Sequence, residues 1–316
     1  MENCLLAVVR GPGSGAGPRK ACKFFRVRHS VCMLTAVDTK NIQAVEREVQ
    51  AIFQALFPEA DAFFVSRAFG WVQEWFSGKY PGYLPIDARY HDLEHTMQGT
   101  LCLARIFHGR ERAKVRPGVS AKMFEQGLLA ILLHDTGYLK KNGDTEGTGA
   151  KYTLVHVGRS GEFAEKFLSE KGYHSPEISA VHNMIRCTGV NVDLASIPFG
   201  SESERIVGYA LGTADLLGQM AAADYVEKLP VLFLEFEESA RFNGNKPCRA
   251  TSFASAEDLM SNTAQFWDRY VLPKINEDFE ALYRYLNAPW PDGPNFYLQR
   301  VEANIARLRQ MFPAAT

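Results

Sequence analysis

Three observations predict an all-α fold for this chain. Apolar residues recur at helical spacing in one segment after another, no period-2 run is long enough for a sheet, and neither a GxGxxG nor a Walker pattern is present. With 316 residues, 46% hydrophobic and 22% charged, the chain has material for one large domain or two modest ones. The reading is a single multi-helix bundle over residues 39–316 behind a flexible tail, residues 1–38. A formal net charge of −1 gives no ground for a nucleic-acid or membrane partner. No apolar run approaches the roughly 18 residues of a membrane span. Six cysteines without a CxxC pair fit a reducing cytoplasm rather than a disulfide framework.

The tail stands apart in composition. Between Asn3 and Val37 there is no acidic residue, while Arg10, Arg19, Lys20, Lys23, Arg26 and Arg28 are basic. The Gly/Pro/Ser run at 11–18 cannot bury a core. The short apolar stretch Cys4 to Val9 precedes the charges, the reverse of a secretory signal. A transit peptide and an extension ahead of a natural start at Met33 are the two expectations, neither with a catalytic role.

From Asn41 the pattern is helical. Ile42, Val45, Val49, Ile52, Phe53, Leu56 and Phe57 form one stripe that Pro58 stops, and Phe63 to Phe76 reads as a second, aromatic helix. A loop with Pro81, Gly82 and Pro85 leads into Tyr90-His91-Asp92-Leu93-Glu94-His95-Thr96 and a helix through Ile106, which would put His91 and His95 on one face. Arg110 to Pro117 reads as a solvated basic turn, and Met123 to Leu133 as a buried helix. Residues 140–151 hold three glycines and nothing apolar larger than Ala150, a mobile loop of the kind that closes over substrates. Thr153 is expected to cap a helix ending at Gly172, with His156 in its first turn and Arg159 three residues on. Ser175-Pro176-Glu177 starts another, carrying His182 and, on the same face, Arg186. Residues 201–204 open a helix whose stripe is Val207, Ala210, Leu211, Ala214 and Leu217, with Asp215 turned towards the core. Tyr225 to Phe242 is helical with a kink or restart at Pro230. Ser255 and Asp258 begin a helix lasting to Pro273, another follows through Phe279, Leu282 and Tyr285, and a last one spans Phe296 to Phe312.

The chemistry centres on Leu128 to Tyr138, where six apolar residues deliver His134 and Asp135 side by side, with Gly137 soon after. One reading is a helix end at which His-Asp meets solvent and Gly137 caps. The other is a metal site, since burying two ionisable groups is costly unless something compensates, and an ion wants a neutral imidazole and an ionised carboxylate. His91, His95, His156, His182 and Asp215 on neighbouring helices supply further candidates that only tertiary packing could assemble. Lys140, Lys141, Arg159 and Arg186 lie near them in sequence and could hold phosphate oxygens.

The order H…HD…H…H…D, over about residues 85–220, resembles the HD-domain superfamily of metal-dependent phosphohydrolases. Tyr90 to Thr96 is also similar to the Y-H-N-x-x-H-A motif of class I cyclic nucleotide phosphodiesterases, with Asp92 for the Asn and Thr96 for the Ala. The resemblance implies a dinuclear centre of divalent ions (Mn, Mg, Zn or Fe). One ion would be held by His95, His134, Asp135 and Asp215; Asp135 would bridge to a second on His156 and His182. It further implies a metal-activated hydroxide attacking a nucleotide or other small phosphoester, and His91 as general acid. Two departures stand out. Tyr138 occupies the place of the lysine in H-D-x-G-K, and no glutamine and phenylalanine can be assigned as a purine clamp. Two alternatives use the same residues: a di-iron HD oxygenase, and a non-catalytic HD module that senses a ligand.

Overall fold

Helices in this protein begin where the chain supplies a side chain to cap them. Asn41, Asp92, Ser120, Ser201, Ser255 and Asn295 each accept a hydrogen bond from the backbone N–H three residues on, satisfying a donor that the first turn leaves without an intrahelical partner. In the computed structural model, which describes residues 36–244 and 253–313, these caps start α1 (Ile42–Leu56), α3 (Leu93–Arg112), α4 (Ala121–Leu133), α7 (Glu202–Met220), α9 (Ala256–Phe266) and α10 (Phe296–Met311). The remaining helices are α2 (Phe64–Phe76), α5 (His156–Glu170), α6 (Ser175–Arg186) and α8 (Tyr225–Phe242). Of the described residues 66% are helical, and among them there is no strand, only the isolated bridges Tyr83–Lys141 and Asn287–Asn295. The all-α expectation holds. No helix among the described residues is long and apolar enough to cross a membrane. The expected tail lies almost wholly outside the described residues.

The central packing is α3 against α7, and small residues permit it. A Cβ on Gly218 would fall 2.7–2.8 Å from the backbone of Gln98 and Gly99, and one on Gly99 would sit 3.8 Å from the Cα of Asp215. The two backbones therefore meet beside His95 and Asp215. α4 packs on α3, α6 and α7, and α5 on α6. Phe53, Phe64, Phe107 and Phe124 join α1, α2, α3 and α4 through ring centroids 5.1–6.1 Å apart.

Several local expectations are corrected. Thr153 does not cap α5; it ends a short 3-10 turn, Gly149–Tyr152, and the helix begins at His156. The cap of α6 is His174, whose N–H donates to Glu177, so Ser175 is already helical. Arg110 is buried and donates to the Pro117 carbonyl rather than meeting solvent. α8 passes through Pro230 unbroken. Regular helix stops at Phe266, short of Pro273, and widens into π turns at Trp267–Val271 and Lys274–Asp278. Pro273 has no N–H to return to the Arg269 carbonyl, and the wider turns lie on either side of it. The chain then reverses at Glu280 and Ala281, both with φ of 54°, before a 3-10 turn, Leu282–Leu286.

Candidate metal centre

Three helices bring four donor residues together, of which His95, His134 and Asp135 place buried ligand atoms within 4.8 Å of one another. His95 lies in the first turn of α3, His134 and Asp135 follow the last residue of α4, and Asp215 sits in α7. Asp135 Oδ2 is 3.1 Å from His95 Nε2 and 3.2 Å from His134 Nε2. Asp215 Oδ1 is 3.3 Å and 3.5 Å from the same two nitrogens. Donors bound at about 2.1 Å to one ion stand about 3.0 Å apart at right angles and about 3.4 Å apart at tetrahedral angles, so these edges are those of a coordination shell. His134 Nδ1 donates to the Ile131 carbonyl at 2.7 Å, which leaves the lone pair on Nε2. His134 Nε2 and Asp135 Oδ2 are buried with no hydrogen-bond partner, a costly arrangement that a cation in their midst would relieve. The solvent-facing reading of His134-Asp135 is thus excluded: both are about 97–98% buried. Gly137 serves close approach instead of capping, since a Cβ there would lie 2.0 Å from the His156 carbonyl oxygen.

The electrostatics follow from this crowding. Burial alone would push the His95 and His134 imidazoles down, but the Asp135 and Asp215 carboxylates outweigh it, holding His95 up at about 9 and His134 well above its ordinary value. Burial likewise pushes the two carboxyls up, and the same imidazoles overcome it and hold both below the usual range. Positive charge between the carboxylates is what the site wants.

His156 approaches from the other side. Its Nε2 is 3.8 Å from Asp135 Oδ1, the carboxylate oxygen turned away from His95 and His134. Its Nδ1 donates to the Thr153 carbonyl at 2.6 Å, and burial pushes the imidazole down, keeping it neutral. His182 joins the same cavity with its ring against Gly161 of α5, outside the cluster of four.

His91 is not on the helix with His95, because Asp92 caps α3 and leaves His91 in the preceding turn. The two rings nevertheless meet, with centroids 5.4 Å apart. His91 Nδ1 donates to Glu235 Oε2 at 2.6 Å, while Glu235 Oε1 accepts from the N–H groups of Arg89 and Tyr90, each at 2.7 Å. Burial pushes the Glu235 carboxyl up, and His91 with those N–H groups brings it below its usual range. Tyr138 stacks against two imidazoles, 4.5 Å from His91 and 4.9 Å from His156 by ring centroids.

Of the four expected phosphate ligands, Arg186 alone lines the cavity. Lys140 is buried and held by Asp87 at 2.8 Å and the Gly147 carbonyl at 2.7 Å. Arg159 donates to the carbonyls of Gly137 and Leu139, both at 2.7 Å, bracing the turn after the His-Asp pair. Lys141 is exposed beside the Tyr83 bridge. Lys151 is buried on Asp144, so loop 140–151 is pinned by two ion pairs and is not the free lid its composition suggested. Lys274 was not anticipated; it lines the cavity and pairs with Asp278 at 2.9 Å. Burial pushes the Cys187 thiol up to about 12, with Lys274 and Arg186 pulling the other way.

Sequence reasoning also missed Glu235. The signal was present: Glu235 stands three residues after Leu232 and four before Ser239, on a stripe of α8 that turns inward. The cavity above the donors measures about 860 Å³ and is lined by His91, His95, Asp135, His156, His182 and Asp215 on one wall. A family model described as Npun_R2479-like matches residues 83–288, and the chain belongs to that family. No curated protein matches it.

Proposed function

We propose that this member of the Npun_R2479-like family is an HD-type, metal-dependent phosphoric ester hydrolase acting on a small phosphoester. The observation that carries the reading is the set of four donors at coordination-shell spacing, with His134 Nε2 and Asp135 Oδ2 buried and otherwise unpartnered. His95, His134, Asp135 and Asp215 would hold one divalent ion; Asp135, His156 and His182 would hold a second. Such ions supply Lewis acidity to phosphoryl oxygens and lower the pKa of water. Glu235 accepts the Nδ1–H of His91, so the doubly protonated ring presents its Nε2–H to the departing oxygen. Tyr138 stacks on both the His91 and the His156 ring, its plane 18–20° from each, with the two imidazoles tilted 35° from one another. Arg186 and Lys274 place positive charge in the cavity for the phosphate. The carboxylate-backed His91 favours hydrolysis over oxygen chemistry, which has less use for a proton donor at that place. Buried, unpaired Cys102 and Cys187 accord with a cytoplasmic location.

Metal content and hydrolysis rates on one anaerobically purified sample test the reading. The panel comprises 3′,5′-cyclic nucleotides, nucleoside mono- and triphosphates and bis(4-nitrophenyl) phosphate, with Mn²⁺ or Mg²⁺. Metal-dependent turnover lost in Asp135→Ala is the expected result. Two irons per chain, oxygen uptake and no hydrolysis would replace the hydrolase by the oxygenase.

A further inference from the structure

Away from the donors, the cavity wall includes α8, α9 and Phe253 just before α9. Leu229, Leu232 and Phe236 come from α8, Leu259 and Phe266 from α9, and Phe253 from the segment before α9. Phe236 and Phe253 stack with centroids 6.3 Å apart. The polar side chains of this wall have spent their donors on the protein itself. Asn262 Nδ2 donates to the Asp258 carbonyl and carboxylate, Thr263 Oγ1 to the Leu259 carbonyl, and Tyr270 Oη to the Val190 carbonyl. Gln219, the nearest glutamine to the donors, gives its amide N–H groups to Asp215 and accepts from Tyr90. A nucleobase is read by in-plane donors and acceptors, and the side-chain donors of Asn262, Thr263 and Tyr270 are committed. What the wall offers a ligand is apolar surface, continuous with the four-donor cluster and with Arg186 and Lys274.

We infer that the substrate is a phosphoester whose non-reacting group is an alkyl chain, seated between α8 and α9 while its phosphate faces the donors. The inference rests on the hydrolase reading and narrows it. Hydrolysis adds water at phosphorus and breaks the bond to the leaving oxygen; the alkyl phosphate keeps its chain in the apolar wall.

Two measurements on the full chain test this. Initial rates are taken for 4-nitrophenyl alkyl phosphates with methyl, butyl and octyl chains, and calorimetry compares octylphosphonate with methylphosphonate. From methyl to octyl, kcat/KM should rise at least about 30-fold, well under the full transfer free energy of seven methylenes, and octylphosphonate should bind tighter by a similar factor. Leu232→Asp should remove that gain, while Leu234→Asp, on the exposed side of α8, should keep it. Hydrolysis that is indifferent to chain length would overturn the alkyl assignment and leave the hydrolase standing, as would a cyclic nucleotide turned over with a higher kcat/KM than the octyl ester. Tighter octylphosphonate binding with no ester hydrolysed would instead bring down the hydrolase, and with it the claim that the bound chain is a substrate. The wild-type series decides the matter even if Leu232→Asp fails to fold.

Discussion

Adjacent residues on a chain rarely aim at one point, and His134 and Asp135 do so because α4 ends just ahead of them. His134 keeps helical backbone and ties Nδ1 to the Ile131 carbonyl, while Asp135 already belongs to the next turn. Without an ion, protons take its place: His95 is held up at about 9 by its carboxylates. Its folded value is raised above the unfolded one, so the charged imidazole stabilises the ion-free protein below about pH 6.5, and that contribution fades as pH rises through about 9. An ion must displace those protons. Mn²⁺ affinity should therefore climb with pH and level off above about 9, and calorimetry at pH 7 in buffers of different ionisation enthalpy should show proton release. A pH-independent affinity would contradict the proton-for-ion exchange. For His91, replacement by Gln should leave metal content unchanged and lower kcat about 100-fold or more for alkoxide leaving groups. The loss should be much smaller for 4-nitrophenolate, which leaves without a proton. Glu235→Gln should show the same pattern, more weakly, because it acts through the tautomer and orientation of His91. An equal loss for both leaving groups would remove His91 from the proton path.

At the level of elements, helix starts and apolar stripes were legible in the sequence because each is a local device: α7 and α9 open at Ser201 and Ser255 as read, whereas the caps expected of Thr153 and Ser175 fall to Val155 and His174. What local pattern cannot show is which backbones touch. Gly218 reads as an ordinary helical glycine until α3 is seen to lie on it. Gly218→Ala should lower stability by about 1–3 kcal/mol and weaken metal binding, by pushing Asp215 away from His95; Gly70→Ala in α2, with open space around it, should be neutral or stabilise by up to about 1 kcal/mol. Thermal melts and Mn²⁺ titrations of the two variants check this, and metal affinity unmoved in Gly218→Ala would detach the helix crossing from the site. Loop 140–151 misled for a related reason. Its glycines and lysines look solvated, yet Lys140 finds Asp87 and Lys151 finds Asp144. Lys140→Ala should cost stability and leave KM unchanged, and slow amide exchange of Leu84 and Asn142, whose N–H groups bond to Lys140 and Gly82 carbonyls, should be lost with it.

Across the molecule, the fold class and the order of the donor residues could be read from the chain because helical periodicity and residue type are sequence properties. Lys274 and the apolar wall could not, since a cavity exists only once α7, α8 and α9 have been packed around it. The same packing separates the two halves of the candidate centre: four donors close at 3.1–3.5 Å, with His156 at 3.8 Å and His182 further along the wall. Ester hydrolysis by chelated protein, titrated back with Mn²⁺ alongside Asp135→Ala, tests the central claim most directly. The account predicts no turnover after chelation, a saturable return with Mn²⁺ in the wild type, and none in the variant. Turnover that survives chelation, or that Asp135→Ala recovers with Mn²⁺ as fully as the wild type, would contradict it.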